Sequence, residues 1–420
     1  MPGIVGIADE WNTNENILSS MISVIKHESW YKIDNFIKDN FALARVHLGI
    51  LNPEPQPIYN EDENLCIFMD GEIFDYEKEK EELKQKGHKF YFNNDPEFCL
   101  HLYGEYGDTF VEKLNGSFVI ALLDMENQKL LIVNDRYGLR PLYYTEDNGR
   151  LLFASEVKAI LQDKTFKKEI NDEALAEFFA FSHLLGDKTF FKGINLLPPA
   201  SILTWQRGRT SLEQYWEFNY EETDQNHPEE YYAEELVKLF KQAVERRMRG
   251  SHKIAVSLSG GLDSRAVVAA IDKKHDPIST FTFIFPGIDE TPTIAQQVSK
   301  KKGTAHQQFE ITQDFLVDYA ESAVYLTDGM LSLVHFHEIS LLESVKNYAN
   351  VALIGWEPET TFKGEFLSKR ILSSTSYNEL STILFKKFMI TTGKSLELIF
   401  TPSYYDKIRD LAFKSLEYEV

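Results

Sequence analysis

A glycine-rich turn between an apolar run and a helical segment most constrains the fold of this chain. The turn has the sequence Ser-Leu-Ser-Gly-Gly-Leu-Asp-Ser over residues 257–264 and overlaps the end of the apolar run 254–258. Apolar runs follow at 280–285 and 351–354, and they alternate with segments of helical spacing at 264–271, 293–301 and 337–347. This alternation predicts a parallel, doubly wound sheet, because parallel strands are joined by crossover connections that are usually helices.

The turn itself predicts a site for phosphate groups. Its two glycines let backbone N–H groups approach an anion, and the N-terminus of the following helix adds partial positive charge. No lysine follows the glycines as it does in a Walker A loop, so we expect the turn to hold pyrophosphate while the chemistry occurs at the α-phosphate. A plain strand-to-helix turn is the alternative. The predicted contacts to pyrophosphate are Ser257, Ser259, Gly260, Gly261, Asp263 and Ser264, with Asp263 also placed to hold Mg²⁺.

The N-terminal half predicts an α+β unit that is weighted toward antiparallel strands. Two of its apolar runs flank a short polar turn, which is typical of a hairpin. The predicted strands are 4–8, 65–69, 118–123 and 130–133, and the predicted helices are 76–87 and 95–106. Residues 217–229 are acidic, contain a proline and lack a core pattern, so they predict a linker between two domains.

Composition excludes several classes of protein. The 44 Lys and Arg residues against 65 Asp and Glu residues give a net charge of −21, and such a surface repels nucleic-acid backbones. Two cysteines cannot form a disulfide framework and are typical of a reducing cytoplasm. No apolar stretch approaches the roughly 18 residues of a membrane span, and the first residues lack the pattern of a signal peptide. We therefore expect a cytoplasmic protein.

Several motifs in one order resemble the family of glutamine-hydrolysing asparagine synthetases. Ser-Gly-Gly-Leu-Asp-Ser at 259–264 looks like the pyrophosphate loop of ATP pyrophosphatases. The N-terminal half carries Gln-Pro-Ile at 56–58, Asp-Gly-Glu-Ile-Phe-Asp-Tyr at 70–76, Leu-Asn-Gly-Ser-Phe at 114–118, Asp-Arg-Tyr-Gly-Leu-Arg-Pro-Leu-Tyr-Tyr at 135–144 and Ala-Ser-Glu-Val-Lys-Ala at 154–159. The resemblance runs from about residue 2 to 216 and from about 230 to 355.

The resemblance implies two domains and a division of labour between them. An α+β N-terminal nucleophile-type amidotransferase sandwich is expected over 1–216, and an α/β doubly wound parallel-sheet ATP pyrophosphatase domain over 230–420. In the family the first domain releases ammonia from glutamine, and the second adenylates a carboxylate that the ammonia attacks. The implied cofactors are ATP and Mg²⁺, and the implied partners are a small-molecule carboxylate and ammonia or an amine, with a homodimer left open. Because Val420 falls short of where the family's second domain closes, we expect a truncated or diverged domain.

By family position, the glutamine site is degenerate. The family's nucleophilic cysteine falls on Pro2, which has no thiol, and its oxyanion-hole asparagine falls on Asp70, whose charge would repel an oxyanion. The arginine that grips the glutamine carboxylate falls on His47, and the family's Arg-His-Arg-Gly-Pro-Asp stretch is missing. Of the family's residues at this site, the resemblance retains only Asp95, as the ligand for the glutamine amine. We expect glutamine hydrolysis to be lost at the degenerate site Pro2, His47, Asp70, Gly71, Glu72 and Asp95.

The same resemblance assigns the rest of the nucleotide site. Leu258, Phe283 and Gly355 would line the adenosine pocket. The expected catalytic residues are Asp263 and Asp328, and Asp328 falls where the family holds its acceptor amino acid. Two further residues have open roles: Arg265 either faces phosphate or lies on a solvated helix face, and His306 is more simply a structural histidine.

A second loop departs from the family. Trp356 stands at the position of the family's catalytic glutamate, and Glu359 could replace the metal-binding aspartate. Pro358 and Trp356 cannot provide the backbone approach of the family's glycines. Two hypotheses follow: an ATP-dependent amide-forming ligase that has lost its glutaminase, as β-lactam synthetases have, or a catalytically inactive nucleotide-binding or scaffold homologue. A sulfur-transfer or RNA-modifying enzyme fits neither the charge nor the cysteines.

Overall fold

The chain forms two units in the computed structural model. The described residues are 2–11, 15–219, 227–250, 252–285, 291–332, 336–355, 367–391 and 393–419. The first unit comprises Met1–Asn219 together with Leu384–Val420, and the second comprises Tyr220–Ile383. Part of the predicted linker, residues 220–226, lies outside the described residues. None of the described helices combines the length and the apolar character that crossing a membrane requires.

Two antiparallel sheets of six strands each form among the described residues of the first unit. The strands are β1 (Gly3–Ala8), β2 (Lys32–Lys38), β3 (Phe41–His47), β4 (Ile58–Tyr59), β5 (Leu65–Ile73), β6 (Gly116–Asp124), β7 (Lys129–Asn134), β8 (Tyr143–Asp147), β9 (Arg150–Ala154), β10 (Asn195–Leu196), β11 (Ser201–Gln206) and β12 (Arg209–Gln214). The spatial order is β10-β8-β9-β1-β3-β2 in one sheet and β12-β11-β7-β6-β5-β4 in the other.

The two sheets pack face to face as a sandwich. Phe41 of the first sheet and Phe68 and Trp205 of the second belong to one buried apolar cluster, and the rings of Phe41 and Trp205 meet edge to face at 5.4 Å. Helices cover the outer faces, because apolar residues at helical spacing, such as Leu18 and Met21, must be buried. The helices in this part of the first unit are α1 (Glu15–Ile25), α2 (Glu77–Gln85), α3 (Asp95–Tyr106), α4 (Val157–Ile160) and α5 (Asp172–Phe181).

The last helices of the chain pack against α5 of the first unit. They are α13 (Gly393–Ile399), α14 (Pro402–Ile408) and α15 (Leu411–Glu419). Ala176 and Ala180 of α5 share a buried cluster with Ala412 and Leu416 of α15. The predicted second domain ran to residue 420, whereas the structure groups the chain from residue 384 with the first unit, because these apolar faces cover one another.

The second unit contains a parallel sheet with the strand order β15-β14-β13-β16. Its strands are β13 (Ile254–Ser257), β14 (Ser279–Ile284), β15 (Ala305–Glu310) and β16 (Val351–Leu353). Its helices are α6 (Glu229–Arg247), α7 (Leu262–Ala270), α8 (Thr291–Lys302), α9 (Phe315–Thr327), α10 (Leu342–Tyr348), α11 (Lys369–Leu372) and α12 (Tyr377–Phe388), the last of which continues into the first unit. The predicted fold class, an antiparallel sandwich followed by a parallel α/β unit, is confirmed.

Candidate functional site

The predicted pyrophosphate turn joins the carboxyl end of the central strand β13 to the N-terminus of α7. Gly260 has φ +87°, a left-handed conformation that glycine adopts without steric cost. The hydroxyl oxygens of Ser259 and Ser264 lie 3.1 Å apart, and the N–H of Gly261 donates to the Ser259 hydroxyl at 3.4 Å. Ser257 is the last residue of β13. The turn thus gathers hydroxyl and N–H groups at the end of a buried strand.

The start of α7 keeps backbone donors available for an anion. Its N-cap residue is Gly261, so no N-cap side chain accepts from the first N–H groups of the helix. The Arg265 side chain lies beside the turn, because its Nε donates to the Gly261 carbonyl at 3.2 Å. Together with the helix dipole, these features suit the turn to bind phosphate oxygens.

Asp263 lies next to Gly355, as the predicted nucleotide site requires. A Cβ atom at Gly355 would come within 2.9 Å of the backbone of Asp263 and Ser264, so only glycine fits this approach. The two residues also line one cavity.

The other residues predicted for the nucleotide site have different surroundings. Leu258 is fully buried in the apolar core, so only its backbone could face a nucleotide. Phe283 packs on Phe281 with the ring centroids 5.3 Å apart. Asp328 is the C-cap of α9, with φ +55°. Trp356, Pro358 and Glu359 lie outside the described residues.

A magnesium ion fits this turn only as a companion of the nucleotide. Among the described residues no group of three or more His, Cys, Asp or Glu side chains is arranged to hold a metal. Asp263, half-buried in the first turn of α7, supplies a single carboxylate. Mg²⁺ is commonly bound by one or two carboxylates plus substrate phosphates, so one carboxylate is enough when the phosphates bind too.

His306 is part of a hydroxyl network within the sheet. Its Nδ1 lies 3.0 Å from the Thr280 hydroxyl, and its Nε2 lies 3.4 Å from the Thr282 hydroxyl. Burial lowers the pKa of His306, which favours the neutral ring. These contacts suit the structural role expected for this residue.

In the first unit, the protein's own donors surround Asp95. Its Oδ2 accepts from Asn52 Nδ2 at 3.1 Å and from the Ile73 N–H at 3.0 Å, and its Oδ1 accepts from the Tyr76 hydroxyl at 2.8 Å. Burial raises the pKa of Asp95 despite these three donors. Asn52 also donates to the Gly71 carbonyl at 2.9 Å, so the predicted residues Asp95 and Gly71 are joined through a residue that the sequence did not suggest.

His47 lies beside a buried arginine. Arg45, two residues earlier on β3, is 1% exposed and donates to both Asp34 Oδ2, at 2.8 Å and 3.0 Å, and the Met69 carbonyl at 3.3 Å. His47 Nε2 lies 3.4 Å from the same Asp34 oxygen. Burial, reinforced by the charge of Arg45, lowers the pKa of His47 to about 4. Near neutral pH, the imidazole of His47 is therefore neutral, whereas the residue that the resemblance predicts for this position is a charged arginine.

Asp70 forms an ion pair. Arg140 Nη1 donates to Asp70 Oδ2 at 2.6 Å, and Arg140 Nε donates to the Ser117 carbonyl at 3.2 Å. Glu72 lies on the same strand, opposite Ser117 in the β5–β6 register. Pro2 precedes β1, whose first residue pairs with the neighbour of His47 on β3. The structure thus brings the six predicted residues into one region of the first unit.

The sequence analysis did not assign a role to four residues whose side chains donate hydrogen bonds in this region: Arg45, Asn52, Tyr76 and Arg140. Tyr76 and Arg140 lie inside motifs that carry the family resemblance, so the motifs could have indicated that these two residues belong to the site. Arg45 and Asn52 lie outside the motifs, and no sequence pattern indicated them.

The fold and these sites define a class: an amidotransferase-type sandwich joined to a parallel-sheet unit with a pyrophosphate turn. A family model described as a glutamine amidotransferase domain matches residues 1–216, and one described as asparagine synthase matches residues 235–379. The chain belongs to the family of glutamine-hydrolysing asparagine synthetases.

Curated proteins named asparagine synthetase or amidase are similar in sequence to this chain. Asparagine synthetase (glutamine-hydrolyzing) 3 of Bacillus subtilis is 29% identical over 66% of this chain and 47% of its own length. Asparagine synthetase (glutamine-hydrolyzing) 1 of the same organism is 25% identical over 93% of this chain and 63% of its own length. Amidase chry2 of Gibberella zeae is 29% identical over 81% of this chain and 54% of its own length. The chain thus spans about half to two thirds of the length of these relatives.

Proposed function

We propose that this chain is an ATP-dependent, AMP-forming ligase that joins a carboxylate to ammonia or an amine. The observation that carries the proposal is the turn between β13 and α7, which brings the hydroxyls of Ser259 and Ser264 together at the N-terminus of α7 and has Asp263 in the first turn of that helix. Relatives named asparagine synthetase support it. A protein that used this unit only as a scaffold would have no need for such a turn.

The turn fits a two-step reaction. A carboxylate oxygen attacks the α-phosphorus of ATP, a new P–O bond forms, and the bond to the bridging oxygen breaks as pyrophosphate leaves. Ammonia or an amine then attacks the acyl carbon, a C–N bond forms, AMP leaves with the C–O bonding pair, and the nitrogen loses a proton to solvent. Backbone N–H groups of the turn would bind the departing pyrophosphate, and Asp263 would hold the Mg²⁺ that neutralises its charge.

We further propose that glutamine does not supply the nitrogen. Pro2 offers no nucleophile, and three donors of the protein itself already bind the carboxylate of Asp95. The side chain of Asp70, although paired with Arg140, has no N–H group to donate to an oxyanion.

The test is release of AMP and pyrophosphate by the purified full chain from ATP and Mg²⁺. A panel of carboxylic acids that includes aspartate is supplied with ammonium in one arm and with glutamine in the other. We expect turnover with ammonium, none with glutamine, and loss of turnover in Asp263→Ala. The matched control is Asp318→Ala, which removes an exposed aspartate of α9 in the same unit. ATP binding without AMP release from any acid would instead favour an inactive nucleotide-binding homologue.

A further inference from the structure

A largely apolar cavity of about 520 Å³ adjoins the pyrophosphate turn in the second unit. One face of α6, one face of α7 and the residues after β16 form its walls. Leu236, Val237 and Phe240 line it from α6, Ala266 and Ala270 from α7, and Ile354 from the segment after β16. The alanines matter because their short side chains leave the space between the two helices open.

The cavity is accessible as well as apolar. Leu236 is 45% exposed, Val237 is 53% exposed and Ile354 is 60% exposed, although each is a large apolar side chain. Clustered exposure of this kind marks a surface that binds something, since water contact with apolar groups is unfavourable. The volume lies in the range of small-molecule sites, which are mostly apolar with a few polar groups that orient the ligand.

The polar groups of the cavity point to the kind of ligand. Among the described residues that line it, only Lys241 and Asp263 carry a charge. Asp263 belongs to the pyrophosphate turn, so the cavity reaches that turn at Asp263. Lys241 can attract an anion to the cavity, because a lysine ammonium pairs with carboxylates. The remaining described residues of the lining are apolar, so they favour contact with a hydrocarbon chain and provide no partner for a further charge.

We propose that this cavity binds the hydrocarbon body of a carboxylic acid whose carboxylate reaches the α-phosphate of ATP. The inference rests on the proposed ligase function and names its substrate class: an acid with an apolar body rather than aspartate. Aspartate carries a second carboxylate, which Lys241 could pair with, and an ammonium group. The one acidic residue among the described residues of the lining is Asp263, which the proposed reaction assigns to Mg²⁺, so burying the ammonium group there without a partner is unfavourable. An aliphatic acid has one charge, which the reaction itself uses, and its chain gains by leaving water.

The experiment measures AMP release by the full chain with ATP, Mg²⁺ and ammonium. Acetate, butanoate, hexanoate and octanoate are compared with aspartate. Burial of one methylene group corresponds to about a fourfold change in an equilibrium or rate constant, so kcat/KM is expected to rise about fourfold per added methylene until the cavity is full. Binding of octanoate is measured separately by titration calorimetry, which does not depend on turnover.

Ala266→Phe places an aromatic ring in the cavity. It is expected to lower the ratio of kcat/KM for octanoate to that for acetate at least tenfold and to weaken octanoate binding, and the ratio cancels any general loss of activity. Ala233→Phe is the matched control, because Ala233 is an exposed alanine of α6 that does not line the cavity. Circular dichroism checks that both variants are folded.

The outcomes separate this inference from the ligase proposal. Turnover with aspartate, together with no binding of octanoate, would overturn the cavity assignment and leave the ligase standing. Octanoate binding that Ala266→Phe abolishes, with no AMP from any acid, would overturn the ligase and uphold the cavity as a site for an apolar acid. A change in sedimenting mass in Ala266→Phe alone would show that a second copy of the chain covers the cavity, which would also overturn the assignment.

Discussion

Removing the hydroxyl group of Ser415 tests whether the last helices stabilise the first unit through α5. Ser415 is 7% exposed and donates to Oε1 of Glu177, whose side chain is fully buried. A hydrogen bond to a charged group contributes about 1.5–3 kcal/mol. Lys188 Nζ lies 3.3 Å from the same oxygen and remains in the variant, so the carboxylate keeps its counter-charge. We therefore expect Ser415→Ala to lower the free energy of unfolding of the first unit by about 2 kcal/mol.

Urea-dependent hydrogen exchange, read by mass spectrometry, measures this change for α5 and α15 separately from the second unit. Ser403→Ala is the matched control, because Ser403 is an exposed serine of α14 whose hydroxyl lies 3.4 Å from that of Thr401. The control is expected to change stability by less than about 0.5 kcal/mol. Equal protection of α5 in the two variants would refute the packing of the last helices against the first unit.

Three further predictions concern the two candidate sites. Gly355→Ala is expected to weaken ATP binding at least tenfold in equilibrium titration, because its Cβ would meet the backbone of Asp263 at 2.9 Å; Gly104→Ala, whose Cβ meets nothing within 4 Å, should bind ATP as the native chain does. The pKa of His47 is about 4 in the folded chain and ordinarily near 6.5, so the unfolded state binds a proton first and stability is lost as the pH falls from about 6.5 to about 4; His47→Gln should reduce the fall in urea midpoint between pH 7 and pH 5. Pro2→Cys is expected to release no glutamate from glutamine, because the carboxylates of Asp70 and Asp95 already bind the protein's own donors. Measurable release of glutamate would show that the thiol alone was missing.

The sequence predicted those parts of the molecule whose cause is local. The turn at 257–264, its strand and its helix are contiguous, and helix α3 begins and ends at the predicted residues 95 and 106. By contrast, β15 was not predicted, because Ala-His-Gln-Gln-Phe-Glu has one buried apolar residue, Phe309, and no apolar run. An edge strand of this kind is held by its pairing with β14 and not by its own pattern.

The parts that sequence patterns missed depend on contacts between distant segments. Asp95 was named, but its donors Asn52 and Ile73 come from two other segments, and nothing in their local sequence indicates the contact. The packing of α15 on α5 is similar, because each helix shows only an apolar face and the pattern does not say what covers it. Motif order therefore identified the family, while the hydrogen bonds that Asp95 accepts at the predicted glutamine site became visible only in three dimensions.

The order in which the ribosome releases the chain gives the packing of α15 on α5 a consequence for synthesis. Glu177 and Ser415 are 238 residues apart, and the second unit lies between them in the chain. At the usual elongation rate of about 5–20 residues per second, the apolar face of α5 remains uncovered for roughly 12 to 48 s until α15 is synthesised. A nascent chain stalled inside the second unit would therefore present this face to chaperones and to other nascent chains. Recombinant production of the first unit alone would require the segment from residue 384 to be joined back to residue 219.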